Sequence, residues 1–166
     1  MKSIKEEFLK TLANYQGIIH KVCLLYFRTE VDRKDNFQEI VYQLWKSFPN
    51  LKDRDKIASW IYGVAINTSI SKIRKDSRLV YQAQFNESLI CIDDRNMKDE
   101  DLKLLIQAIQ KLNEIDKSII LLYLEEYDYE EIATIIGISK SNVGTRINRA
   151  KKVLKEHLKN LNYENQ

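Results

Sequence analysis

Residues 129–152 read Tyr129-Glu130-Glu131-Ile132-Ala133-Thr134-Ile135-Ile136-Gly137-Ile138-Ser139-Lys140-Ser141-Asn142-Val143-Gly144-Thr145-Arg146-Ile147-Asn148-Arg149-Ala150-Lys151-Lys152. A helix-turn-helix needs a short first helix, a tight turn relieved by glycine, and a second helix braced by apolar side chains. All three are legible here. Asp128 can cap the first helix, with Glu131 three residues on to complete a capping box. That helix buries Ile132, Ala133 and Ile136, and Ala133 is small where two helices must cross closely. Gly137 permits the left-handed conformation that ends a helix. Ser139 can cap the second helix, whose inner face reads Val143, Ile147, Ala150 and Leu154. Its outer face carries Lys140, Ser141, Asn142, Thr145, Arg146 and Arg149, continued by Lys151 and Lys152, and Glu156 is the only acid between 140 and 159. The start of such a helix reaches base edges, whereas Lys and Ser chiefly hold phosphates. Asn142, Thr145, Arg146 and Arg149 are therefore expected to read DNA, and Lys140, Ser141, Lys151 and Lys152 to position the helix on it.

Working outward, Leu102, Leu105, Ile106, Ile109 and Leu112 form one helical stripe. Ile115, Ile119, Leu122 and Tyr123 form another after a break near Asn113. Residues 102–166 are thus expected to be a four-helix domain. Upstream, at 79–101, the apolar spacing fails and acids gather (Glu87, Asp93, Asp94, Asp99, Glu100, Asp101), the pattern of an acidic linker. Residues 1–78 regain helical periodicity in four stretches, 4–15, 18–27, 35–48 and 56–75, enough for a small bundle. In the third, Phe37, Ile40, Val41, Leu44, Trp45 and Phe48 share a stripe. Pro49 is expected to end it by forcing Phe48 out of helical space. In the fourth, Trp60 falls with Ile57, Ile61 and Val64 and reads as core, while Tyr62 is more open. The fold class is all-α: an N-terminal helical bundle and a C-terminal helix-turn-helix domain, joined by an acidic linker.

Composition agrees. Only four Gly and one Pro in 166 residues leave too few tight turns for an all-β fold. A hydrophobic share of 44% with 31% charged is that of a globular chain, and no apolar run approaches a membrane span. Nothing resembling a signal peptide follows Met1, so a soluble, cytoplasmic protein is expected. A net charge of +3 makes a weak case for nucleic acid over the whole chain, so the placement of charge matters more than its sum. Cys23 and Cys91 form no CxxC pair and lie near no histidine at ligand spacing. No metal site is expected, and Cys23, among apolar neighbours, reads as a small buried side chain. His20 and His157 are isolated, no nucleophile–base pairing occurs, and no glycine-rich phosphate loop is present. Catalytic residues and cofactors are therefore not expected, and the chain is not read as an enzyme.

A helix-turn-helix alone does not identify a protein, since repressors, activators and recombinases share it. The first half is more telling. It carries Asp35-Asn36-Phe37-Gln38-Glu39-Ile40-Val41-Tyr42-Gln43-Leu44-Trp45, followed by Ser59-Trp60-Ile61-Tyr62-Gly63-Val64-Ala65-Ile66-Asn67-Thr68-Ser69-Ile70-Ser71-Lys72-Ile73-Arg74-Lys75. Together with Leu112-Asn113-Glu114 and Glu130-Glu131-Ile132-Ala133, these resemble the sigma-70 family of transcription initiation factors, in its extracytoplasmic-function group. The resemblance spans roughly 8–78 and 102–158. Asn113, Ile66 and Ser71 depart from it, standing where members often carry Pro, Arg and Asp.

The resemblance implies a promoter-specificity subunit with two DNA-reading domains. Residues 1–78 would correspond to region 2, docking on RNA polymerase core at its β′ clamp helices through Asp35, Gln38, Glu39 and Gln43. The same domain would recognise the minus-10 element and help melt it. The loop with Asn50, Lys52, Arg54 and Lys56 would receive a flipped base, Tyr62 would offer a stacking face, and Asn67, Lys72, Arg74, Lys75 and Arg78 would follow the backbone. Residues 102–166 would correspond to region 4, reading the minus-35 element beside the β flap. An anti-sigma protein is a further implied partner, and no membrane insertion is implied. The other reading of the residues is a stand-alone helix-turn-helix regulator with 1–78 as a dimerisation or sensor domain.

Overall fold

The computed structural model describes residues 1–80 and 99–164, without the side chains of Leu79 and Val80. Cys91 and most of the stretch expected to be an acidic linker lie outside the described residues. The chain divides into two compact units, Met1–Asp93 and Asp94–Gln166. Among the described residues every regular element is helical, and no helix is long and apolar enough to cross a membrane.

The first unit is built on three long helices: α1 (Ile4–Tyr26), α2 (Glu30–Ser47) and α3 (Ile57–Val80). Each packs against the other two. Ser3 and Glu6 form a reciprocal capping box at the start of α1, and Thr29 caps α2 by accepting the Asp32 N–H at 3.1 Å. Phe8, Ile19, Val22, Ile40, Leu44, Phe48, Ile61, Ala65 and Ile66 form the core.

The expected break between 15 and 18 does not occur, because α1 runs unbroken through Gly17. That glycine is exposed with open space around it. An exposed helical glycine costs only about 1 kcal/mol, and the buried residues on either side, Phe8 and Ile19, outweigh it. Pro49 also acts differently from expectation. Phe48 keeps helical dihedrals (φ −55°, ψ −40°), and Pro49 sits inside a 3-10 turn, Phe48–Asn50. The first residues of a helical turn need no N–H, so proline is tolerated there. A second 3-10 turn, Arg54–Lys56, leads into α3.

One polar cluster lies within this apolar bundle. Asn36 is fully buried and donates to Ser69 Oγ at 2.8 Å, linking α2 to α3, and its Nδ2 lies 3.5 Å from Cys23 Sγ on α1. Ser69 in turn donates to the Ala65 carbonyl at 2.7 Å. Cys23 is buried as expected, and burial pushes its thiol up from 9.0 to about 11.

The second unit comprises α4 (Glu100–Gln110), α5 (Glu114–Leu124), α6 (Tyr129–Ile136) and α7 (Lys140–Glu164). Helix α7 packs on the other three through Val143, Ile147, Ala150, Leu154 and Leu161, against a core that includes Ile109, Ile119, Leu122 and Ile132. The segment expected as linker is helical at both ends, since α3 continues to Val80 and α4 begins at Glu100 behind its cap, Asp99.

Candidate nucleic-acid interface

The α6–turn–α7 corner is fixed by local chemistry. Asp128 accepts the Glu131 N–H at 2.8 Å while the Glu131 carboxylate accepts the Asp128 N–H at 2.8 Å. Gly137 adopts φ 82°, ψ 38°, and its N–H reaches the Ala133 carbonyl at 2.8 Å. Ser139 Oγ then accepts the Asn142 N–H at 3.1 Å, starting α7. Of the residues expected to be buried on α6, Ile132 is buried while Ala133 and Ile136 are half-buried, and α7 meets α6 at Gly144. A Cβ on Gly144 would lie 3.4 Å from the Tyr129 ring, in van der Waals contact with α6.

The outer face of α7 presents Lys140, Ser141, Thr145, Arg149 and Lys152, all exposed. Thr145 turns its hydroxyl back onto the Ser141 carbonyl (3.1 Å). Asn142 is half-buried. Lys151 donates to the Tyr123 hydroxyl at 3.0 Å and lies 4.6 Å from the centre of that ring. That hydrogen bond raises the Lys151 pKa and holds it charged.

Arg146 differs from expectation. Its guanidinium is engaged with Asp116 of α5 at 2.9 Å rather than open to the outer face, and its side chain is 24% exposed. Asn148 is exposed on the outer stripe, yet the sequence did not single it out. The signal was available: 141, 145, 148 and 152 recur at steps of four, three and four along one face.

In the first unit, an open groove of about 570 Å³ runs between α2 and α3. Asp35, Glu39 and Gln43 line one wall, and Asn67, Lys72, Lys75 and Asp76 the other. Residues expected to divide between a protein partner and DNA thus face each other across one channel of mixed charge. Gln43 donates to Glu39 at 3.0 Å, which orders the acidic wall. Gln38 is exposed outside the groove lining, on α2. A neighbouring hollow of about 430 Å³ brings Asn50 together with Lys46, Ser47, Val64, Asn67 and Thr68. Lys46 and Ser47 were not among the expected site residues.

Two expectations in the first unit need correction on geometry. Tyr62 is only 2% exposed and offers no face for stacking, because α3 is covered by both α1 and α2. Arg54 is not a free cation in its loop. It lies 4.4 Å over the Phe48 ring and 3.3 Å from the Glu7 carboxylate, which pins the loop to α1. Ile66, which stands where members of the family often carry Arg, is a 2% exposed core residue. Lys52, Lys56, Arg74, Lys75 and Arg78 are exposed, while Lys72 is half-buried, 5.8 Å from the Phe27 ring centre.

Comparison with known proteins follows the same division. Residues 12–79 match the family model for sigma-70 region 2, and residues 102–154 that for sigma-70 region 4. Among characterised relatives, the RNA polymerase sigma factor SigV of Bacillus subtilis is 26% identical over 159 residues, covering 95% of this chain and 94% of SigV. The ECF RNA polymerase sigma factor SigW of the same organism is 25% identical, covering 96% and 93%. Among solved structures, the sigma factor RpoE of Bartonella quintana, crystallised with the anti-sigma factor NepR, superposes with a TM-score of 0.75. That match covers 96% of this chain and 98% of RpoE at 23% identity, a likeness of fold.

Proposed function

The chain belongs to the sigma-70 family, in its extracytoplasmic-function group, and on that premise we propose that it acts as an alternative sigma factor, binding RNA polymerase core and directing it to particular promoters. The observation that carries this is the pairing of region 2 and region 4, in order, on two separate helical units. Its role is that of a regulatory initiation subunit working beside cytoplasmic polymerase, and an anti-sigma protein is a fitting partner in trans.

Residues 1–78 serve as the region-2 domain and 102–166 as the region-4 domain, with 79–101 between them. On the first, Asp35, Gln38, Glu39 and Gln43 meet the β′ clamp helices of the core. The hollow at Asn50, Lys46 and Asn67 takes an unstacked minus-10 base, with Lys52 and Lys56 on flanking phosphates. Lys72, Arg74, Lys75 and Arg78 follow the backbone at the upstream edge of the melted segment. On the second, the outer face of α7 enters the major groove of the minus-35 element, with Asn142, Thr145, Asn148 and Arg149 nearest the bases, beside the β flap. Two weak modules on one tether gain affinity by effective concentration, which suits a chain of near-balanced charge.

The test is a pull-down with core polymerase and the variants Gln38→Ala and Glu39→Lys. Co-purification with core should fall for both while free-chain helicity is unchanged. Full retention by both variants would remove α2 from the interface, and no complex with the unaltered chain would overturn the function.

A further inference from the structure

Arg146 sits within the helix assigned to DNA, yet its side chain points to a different task. Its Nη1 lies 2.9 Å from Asp116 Oδ1, and the two side chains are 24% and 15% exposed. Arg146 Nε is buried and has no hydrogen-bond partner. The carboxylate it meets is itself held. Asp116 Oδ2 accepts from Asn113 Nδ2 at 2.7 Å, and Asn113 Oδ1 accepts the Asp116 N–H at 2.9 Å. Asn113 is the N-cap of α5, so Asp116 lies in its first turn, where the helix dipole favours a negative charge. The relay Asn113–Asp116–Arg146 therefore runs from the capped start of α5 to the middle of α7. It joins residues thirty positions apart in the chain.

We propose that Asp116 and Arg146 form a positioning pair that sets the rotation and depth of α7 in the major groove, with Arg146 acting through Asp116 rather than on a base. The inference rests on the reading of α7 as the promoter-reading helix. The contact is one charge-assisted bond from Nη1 between two part-buried side chains, and because Asp116 is itself held by Asn113 it ties the rotation of α7 to the capped start of α5. Val143 and Ile147, both fully buried, hold α7 against the core. The part-buried directional bond beside them adds a polar constraint on the rotation of the helix.

The electrostatic sign makes the idea testable. Asp116→Asn removes an acid from the DNA-binding unit. If Arg146 contacted DNA directly, that change would release a cation and tighten promoter binding. If the pair positions the helix, the same change loosens it and weakens discrimination. The experiment uses holoenzyme assembled from core polymerase and the full chain. It is assayed on a promoter selected from randomised duplex, with the minus-35 element intact or scrambled. The selectivity ratio should fall about tenfold for Asp116→Asn and for Arg146→Met, the scale of couplings within one hydrogen-bonded network. The double variant should be no worse than either single one.

Arg146→Lys keeps the charge that meets Asp116, so it should recover part of the ratio lost in Arg146→Met, while the salt dependence of binding stays unchanged in every variant. A rise in affinity with Asp116→Asn, additive single effects, or an Arg146→Lys variant no better than Arg146→Met would each overturn the pairing. Helicity and core binding of each variant exclude misfolding. If the unaltered holoenzyme shows no preference for the intact element, the reading of α7 falls and the inference with it. If it discriminates and Asp116→Asn discriminates equally, only the positioning role falls.

Discussion

Gly137→Ala isolates the physics of the helix-turn-helix corner. The residue sits at φ 82°, ψ 38°, where an L-residue with a Cβ pays roughly 1–2 kcal/mol. A Cβ there would meet nothing within 4 Å, so no steric clash adds to that figure. Alanine also restricts the unfolded chain, which offsets about 0.4–1 kcal/mol. The net expectation is a loss of about 1 kcal/mol from the second unit. For a domain of roughly 60–100 residues that corresponds to a fall in Tm of about 4–8 °C. Glu126→Gly is the mirror experiment. Glu126 is the described non-glycine residue at positive φ (67°), so glycine there should stabilise the same unit by about 0.5–1 kcal/mol. Both tryptophans, Trp45 and Trp60, lie in the first unit. Thermal unfolding followed by far-ultraviolet circular dichroism should therefore show a shifted transition in each variant, of opposite sign, while the tryptophan fluorescence transition stays in place. An unmoved transition in Gly137→Ala, or an equal shift in tryptophan fluorescence, would refute the reasoning.

Phe8 packs edge-on against Phe48 (5.2 Å) and tilted against Trp45 (5.0 Å). Phe8→Ala should destabilise the first unit by about 3–5 kcal/mol and alter Trp45 emission, as read by urea unfolding. In a Cys91→Ser background, Cys23 should resist alkylation in the folded state, because its thiol is buried and its pKa is pushed up to about 11. The sign of that shift means the folded state favours the protonated thiol. Its contribution to stability is complete below the ordinary value of 9.0 and is lost as pH rises through about 11, which denaturation across that window checks. Arg149→Ala should cost about 1–3 kcal/mol on one minus-35 position. Lys152→Ala should instead weaken all sequences alike and reduce the salt slope by about one unit, measured by holoenzyme binding to promoter variants.

The two helical halves were legible from sequence because their signals are local. Asp128 with Glu131, Gly137 and Ser139 each act within four residues, and the structure shows each in its expected capping or turn role. What sequence concealed was made by tertiary packing. Tyr62 looked open because its neighbours Ile61 and Ala65 already accounted for one buried stripe. Helix α3, however, is covered on two sides, and Ile61, Tyr62, Ala65, Ile66 and Ser69 are all buried. Arg146 looked like a base reader by its place in the motif, but Asp116, its partner, lies thirty residues away. Arg54 with Glu7 and Asn36 with Ser69 are likewise pairs across distant helices, which no local periodicity reveals. The division of the first unit into a protein-facing helix and a DNA-facing helix was implied by the family resemblance and not by the residues themselves. The groove shows those two faces opposed across a few side chains.

The most direct test is promoter footprinting with the chain alone, with core polymerase alone, and with the two combined. A specificity subunit of polymerase predicts specific protection spanning both promoter elements, and a melted segment at the downstream one, only in the combined sample. Specific protection of duplex DNA by the chain alone, unchanged by adding core, would contradict the account and favour a self-sufficient helix-turn-helix regulator.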